Sequence, residues 1–272
     1  MTPSEGLQVR RLRRGDDAAA ALAEAAGVHG VYVRNALSEG LSDGFVFAVD
    51  GRDCGVAWFG PRGNLVVVSD QRAHGHERDL AAQVLRARWS WRIVLGDAGL
   101  VDALAAVVPR RALAHRDQIY YCGGPDDANP KHVRDDLREP EREDRERLAR
   151  ATLALNASDL NIAPDRVDRR WLYSTIDDRI HDGTTRVLGP VGGLWSKLDF
   201  GSQGPGGVVI EGVYTFPERR GRGLGADLVA SCMAQSRGAV SLHVAEHNRA
   251  ARRSYERAGL REAGRCRLLL LG

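Results

Sequence analysis

Hydrophobic residues recur along this chain in two rhythms, every second position and every third or fourth, and the switches between them mark out the elements. In the first half the pattern predicts a strand over 7–12, helices over 16–26 and 31–39, and strands over 45–49, 55–59 and 64–68. A helix over 76–89, a strand over 92–95, a helix over 100–108 and a strand over 118–122 follow. The second half opens with helices over 141–155 and 165–181, entered through Pro140 and Pro164. Strands over 185–188 and 194–200 lead to the alternating run Val209-Ile210-Glu211-Gly212-Val213. A helix over 226–233, a strand over 239–244, a helix over 248–260 stopped by Gly259, and a strand over 261–271 close the chain. Residues 123–138 form a polar connector bearing Pro and Asp. The expectation is an α/β (α+β) fold with two domains, 1–124 and 140–272, joined by a linker over 125–139.

The densest chemical signal lies between two of these elements. Val213-Tyr214-Thr215-Phe216-Pro217 is a strand ending in proline, and Glu218-Arg219-Arg220-Gly221-Arg222-Gly223-Leu224-Gly225 is a basic, glycine-rich turn leading into a helix. Gly221, Gly223 and Gly225 can take positive φ and lack a Cβ, so backbone can approach a ligand closely. The unbonded amides of a first helical turn face outward at the positive end of the helix dipole, which suits phosphate oxygens. Arg219, Arg220 and Arg222 add charge around the turn. No Gly-Lys-Ser/Thr closes it, and the dinucleotide spacing Gly-x-Gly-x-x-Gly is not met. The segment reads as a diphosphate site.

The spacing Arg-x-x-Gly-x-Gly (Arg220, Gly223, Gly225) resembles the acetyl-CoA signature of the GCN5-related N-acetyltransferase (GNAT) superfamily. Asn248, Ala251, Tyr255, Gly259 and Leu260 are similar to its second cofactor motif, Asn-x-x-Ala-x-x-x-Tyr-x-x-x-Gly-Phe/Leu. The resemblance implies a mixed, mostly antiparallel sheet flanked by helices, whose fourth strand splays from the fifth to admit the pantetheine arm. It places the arm along Val213, Tyr214 and Thr215 and near Asn248 and Ala251. The diphosphate falls on the amides of Arg220, Gly221, Arg222, Gly223, Leu224, Gly225 and Ala226. Tyr255 is implied as the general acid for the departing thiolate, a role a phenol can fill; the alternative is a packed aromatic. Glu211, a charge inside an apolar strand, is the candidate base, raised by burial, or else a solvent-facing or Arg-paired carboxylate. Asp159, between the first two helices of the second half, is a candidate for holding a cationic amine.

The first half has the same element order as that superfamily, yet its turn Ser69-Asp70-Gln71-Arg72-Ala73-His74-Gly75 has one glycine and no Arg-x-x-Gly-x-Gly. Together with Trp58 to Val68 and Ile93 to Asp97, it resembles the N-terminal domain of unknown function in bacterial two-domain acetyltransferases, a degenerate GNAT-like domain. His74 and His76, two apart in a turn, read as solvated rather than metal-binding, and no metal is expected.

Composition narrows the setting. The net charge is +3, and of 39 basic residues only Lys131 and Lys197 are lysine. Arg10, Arg11, Arg13 and Arg14 read as a solvated strand edge, so a nucleic-acid partner is not expected. Cys54, Cys122, Cys232 and Cys266 are scattered without metal spacing and read as reduced thiols. No apolar run nears the ~18 residues of a membrane span, and 1–14 lacks an apolar leader, so a cytoplasmic protein with no membrane partner is expected. The sequence points to an acetyl-CoA-dependent N-acetyltransferase whose acceptor is a protein lysine, a protein N-terminus or a small amine. A catalytically silent CoA-binding regulatory module is the alternative; the oligomeric state stays open, a homodimer included.

Overall fold

The computed structural model describes residues 6–86 and 91–272 and divides the chain into two compact units. The first comprises residues up to Ile119 together with Gly204–Gly206 and Gly264–Gly272; the second comprises Tyr120–Gln203 and Gly207–Ala263. Both units contain, in the same order, two helices, three strands, a helix, a strand and a helix.

In the first unit these are β1 (Leu7–Arg11), α1 (Asp17–Ala25), α2 (Val31–Ser38), β2 (Gly44–Val49), β3 (Arg52–Phe59) and β4 (Asn64–Ser69). Then come α3 (Glu77–Arg86), β5 (Ile93–Gly96), α4 (Ala98–Val107) and β6 (Ala112–Gly123). The predicted end of α3, residues 87–89, lies outside the described residues. Asp16 caps α1 through Ala19 N at 3.1 Å, and Asp97 caps α4 through Gly99 N at 2.8 Å. β2, β3 and β4 form an antiparallel meander, and β4 runs parallel to β5. The far side of β5 takes the last strand of the chain, β11 (Arg261–Leu271), in the pairs Arg267↔Gly96 to Leu270↔Ile93. Leu269 and Leu271 thereby join Leu65, Val94 and Leu104 in this unit's core.

The second unit holds α5 (Arg145–Leu160), α6 (Arg169–His181), β7 (Thr185–Leu188), β8 (Ser196–Gly204) and β9 (Gly207–Thr215). α7 (Leu224–Ala234), β10 (Val240–Ala245) and α8 (Arg249–Ala258) follow. Its strand order is β6-β10-β9-β8-β7. β7 and β8 pair antiparallel, and β9 and β10 pair parallel. Leu148, Leu172, Ile176, Val187 and Leu194 pack beneath α5 and α6. The helix predicted over 141–155 in fact runs from Arg145 to Leu160, because Ala157 and Leu160 continue the helical pattern. It stops where Asn161 turns left-handed, φ 54°. Asp159 therefore sits in the last helical turn and not in a loop. Trp171 stands 57% exposed on α6.

One buried carboxylate ties the start of this unit together. Asp144 accepts from Arg138 Nη1 at 2.6 Å, from the amide of Glu141 at 2.9 Å and from the amide of Gly192 at 2.9 Å. Burial works against its charge, but Arg138 and the two amides outweigh that and hold the carboxyl below the usual carboxylate range. A carboxyl depressed in the folded state adds stability above its unfolded pKa, and this is lost as pH falls through the folded value. Asp144→Asn is expected to cost about 3 kcal/mol at neutral pH, since it leaves Arg138 without its charge partner. The variant's urea midpoint should also fall less than the wild type's as pH is lowered below about 4.

Candidate active site

The site begins where a sheet comes apart. β9 and β10 pair as Val240↔Val208, Ser241↔Val209 and Leu242↔Ile210, and the pairing ends there although both strands continue, β9 to Thr215 and β10 to Ala245. The break coincides with Gly212, at φ 55° in the middle of β9. A left-handed residue inside a strand interrupts the ladder and redirects it, as a bulge does. A Cβ at Gly212 would lie 2.8 Å from Asp199 Oδ2 and 3.0 Å from Lys197 Nζ, so only glycine fits. Beyond it, the edge of β9 is fastened toward β8. Ser196 Oγ donates to Tyr214 O at 2.8 Å, and Phe216 N donates to Trp195 O at 3.0 Å. The half-buried segment Val213–Thr215 thus lines a gap between two strands of one sheet.

At the end of that gap lies the turn. Gly221 and Gly223 adopt φ 76° and 81°, and nothing comes within 4 Å of where a Cβ of Gly221 would stand. Gly225, expected to share this conformation, is instead in the first turn of α7, where a Cβ would meet Ser254 of α8 at 3.6–3.7 Å, an ordinary contact. The first intrahelical amides to find acceptors are those of Ala226 and Asp227, both on Gly223 O. No acceptor for the amides of Gly221, Arg222, Gly223, Leu224 and Gly225 is found among the described residues. Five amides at a helix N-terminus with an open glycine cradle fit a diphosphate. The Arg220 guanidinium is turned back onto Thr215 O at 3.1 Å, Arg219 stacks on Trp195, and Arg222 is exposed on the turn.

Tyr255 is buried on α8, edge-on to Tyr121 at 6.1 Å between centroids. Burial pushes its phenol well above the ordinary range, and the charge of Asp159 adds to the rise. Two residues singled out separately in the sequence are therefore within electrostatic reach of each other. The phenol stays protonated through the physiological range, and it is a weaker acid than an exposed tyrosine. Asn248 caps α8 by accepting from Ala251 N at 3.1 Å, so Ala251 is held through its backbone.

Glu211 is half-buried and lies over Gly201 of β8, where a Cβ would fall 2.2 Å from its Cδ. Lys197, Asp199 and Gly201 alternate along β8 and so share that face. Lys197 is 2% exposed and ion-paired with Asp199, which also pairs with Arg179 of α6 and accepts from Thr185 Oγ1 at 2.8 Å. Burial pushes the Lys197 ammonium down, against the attraction of Asp199 and Glu211. Burial opposes the Asp199 charge too, but Lys197 and Arg179 keep that carboxyl below its usual range. Sequence reasoning missed this cluster. The signal was there: Lys197 and Asp199 interrupt an apolar strand as Glu211 does.

The first unit answers the same positions differently. β4 and β5 pair from Asn64↔Ile93 to Val66↔Leu95, and Gly96 of β5 then lies against Val67 of β4, with Val67 O 2.9 Å from where a Cβ would stand. In the turn after β4, Arg72 Nε and Nη2 bind the Asp70 carboxylate at 3.0 and 2.5 Å. The amide of Gly75 donates to the Glu77 carboxylate at 3.0 Å. Carboxylates of the chain itself fill the turn that the second unit leaves open.

Residues 133–260 match the Acetyltransferase (GNAT) family model. No curated protein sequence matches the chain. A GCN5-related N-acetyltransferase from Sphaerobacter thermophilus has a similar structure, with TM-score 0.55 and 16% identity over 98% of this chain and 96% of that one. An acetyltransferase of the GNAT family from Colwellia psychrerythraea gives TM-score 0.51 and 12% identity over 97% of this chain and 100% of that one. At such identities the likeness is one of fold, and it extends over both units. The parted strands, the open amide turn and the match to the GNAT acetyltransferase family model all fall within residues 133–260.

Proposed function

We propose that the second unit is an N-acetyltransferase acting from acetyl-CoA on a primary amine, with the first unit a GNAT-like domain that does not hold the cofactor. The observation that carries this reading is the separation of β9 from β10 beyond Ile210, leading to a turn of five unengaged amides. Acetyl-CoA, when bound, supplies the acyl thioester. The amides of Gly221 to Gly225 bind its diphosphate, and Arg222 adds charge. The exposed backbone of Val213, Tyr214 and Thr215 orients the arm as an added strand would, with Asn248 and Ala251 at the facing helix start. Glu211, beside Lys197, receives the proton of the attacking amine, and Tyr255 delivers a proton at the thiol sulfur. Asp159, near Tyr255, draws a cationic acceptor toward the site. The acceptor is a protein lysine, a protein N-terminus or a small amine. Four free thiols and the absence, among the described residues, of a helix long and apolar enough to cross a membrane are compatible with a cytoplasmic setting.

A ligand that binds only the folded state raises its melting temperature. Acetyl-CoA at 100 times its Kd is expected to add about 2.7 kcal/mol of stability, read as a Tm increase. No shift at saturating cofactor would remove the reading. Tyr255→Phe should lower kcat by about 10²-fold with little change in cofactor-induced Tm shift, measured by thiol release with an amine panel. Because the phenol is pushed up, this variant should leave the inflections of the pH–rate profile between pH 6 and about 9 in place, whereas Glu211→Gln should lower kcat by about 10²-fold with the cofactor-induced Tm shift kept. Gly212→Ala puts a methyl group against Asp199 and Lys197 at positive φ. It should lower Tm and shrink the acetyl-CoA shift together.

A further inference from the structure

A short strap ahead of α5 runs against the helices of the cofactor turn. Asn129 donates through N to Ala258 O and through Nδ2 to Arg257 O, both at 2.9 Å, at the end of α8. Arg134 N donates to Ser231 Oγ of α7 at 2.8 Å. Between these anchors, a three-residue turn of 3₁₀ helix, Pro130–His132, is capped by the Asn129 side chain on Lys131 N at 3.1 Å. It sets the His132 ring beside α7, Nδ1 2.7 Å from Asp227 Oδ1 in the first helical turn. The Cε1 corner of that ring stands 3.8 Å from where a Cβ of Gly223 would be. The imidazole therefore borders the open cradle, one residue outside the stretch that matches the family model.

An ionised carboxylate only accepts, so the hydrogen on His132 Nδ1 is committed to Asp227. In the neutral ring Nε2, next to Cε1, then carries a lone pair, which repels a phosphate oxygen. Only the imidazolium presents an N–H at both nitrogens. The other charged groups around it are Arg134, whose Nη1 is 3.7 Å from Asp227 Oδ2 and whose Nε is 2.7 Å from Asp136, then Lys131 on the strap and Arg222 on the turn. Asp227 is thus a negative charge at the rim of an anion site, balanced by His132 and Arg134.

We infer that His132 is a wall of the diphosphate cradle and that cofactor binding is coupled to uptake of a proton at its Nε2. This rests on the acetyl-CoA reading above. The proton taken up turns a lone pair into a donor for the diphosphate, so binding tightens as pH falls.

The test is calorimetric titration of the full chain with dephospho-CoA at pH 7 in buffers of different ionisation enthalpy. This ligand keeps the diphosphate but lacks the phosphomonoester, which titrates near pH 6 on its own. The expected result is net uptake of up to about one proton per ligand in the wild type, a ceiling set by the single imidazole. His132→Gln should abolish the uptake, retain binding, and weaken it several-fold at pH 6 but little at pH 8. Asp227→Asn offers a second check, since an amide at 227 can donate to Nδ1 and let the neutral ring present an Nε2–H. Its uptake should drop while affinity at pH 8 is kept or improved. Binding with equal proton counts in wild type and His132→Gln overturns the inference and leaves the acetyl-CoA reading standing. No binding heat from either dephospho-CoA or acetyl-CoA removes both.

Discussion

At Gly212 the backbone turns left-handed inside a strand, and nothing larger than hydrogen fits there because Asp199 and Lys197 press from the neighbouring strand. That steric fact governs the second unit. It ends the β9–β10 ladder at Ile210, frees the backbone of Val213 to Thr215, and puts Glu211 and Gly212 on one face in succession. The buried ions are what make the constraint stiff. Lys197 and Asp199 are shielded from water and tied to Arg179 and Thr185, so they cannot swing aside to admit a side chain. In a chain that uses arginine for nearly all its cations, a lysine survives at this position. Its single ammonium and narrow stem fit where a planar fork with five donors could not be satisfied.

Local chemistry was legible from the sequence, and long-range chemistry was not. The turn after β9 and the Asn248-to-Gly259 helix each carry their function in contiguous residues, so spacing alone located them. Element types followed from periodicity, with ends displaced by a few residues where capping decided the outcome, as at Asn161. The cluster around Asp199 draws on α6, β7 and β8, and no window of sequence contains it. The roles of the glycines also separated only in three dimensions. Gly221 and Gly223 serve conformation, whereas Gly225 takes an ordinary place in the first turn of α7. Asp159 and Tyr255 were noted one by one, and their electrostatic coupling came from folding.

The two units show how little separates a ligand site from a closed one on a shared scaffold. Each has three strands, a turn and a helix at the corresponding place. In the second, glycines hold the turn open and a bulge parts the strands. In the first, Asp70 and Glu77 bond to neighbouring donors, and Gly96 rests on Val67. An anion entering that turn would have to displace carboxylates already hydrogen-bonded in its place, at the desolvation cost of a charged group.

The last strand has a bearing on how this chain comes off the ribosome. Residues 264–272 complete the sheet of the first unit and drive Leu269 and Leu271 into its core. The first unit is therefore completed only after the whole of the second has been made. Until then the edge of β5 that pairs with β11 is unpaired, the kind of nascent surface that recruits chaperones or strands from neighbouring chains. Loss of residues 264–272 would thus injure the first unit before the second.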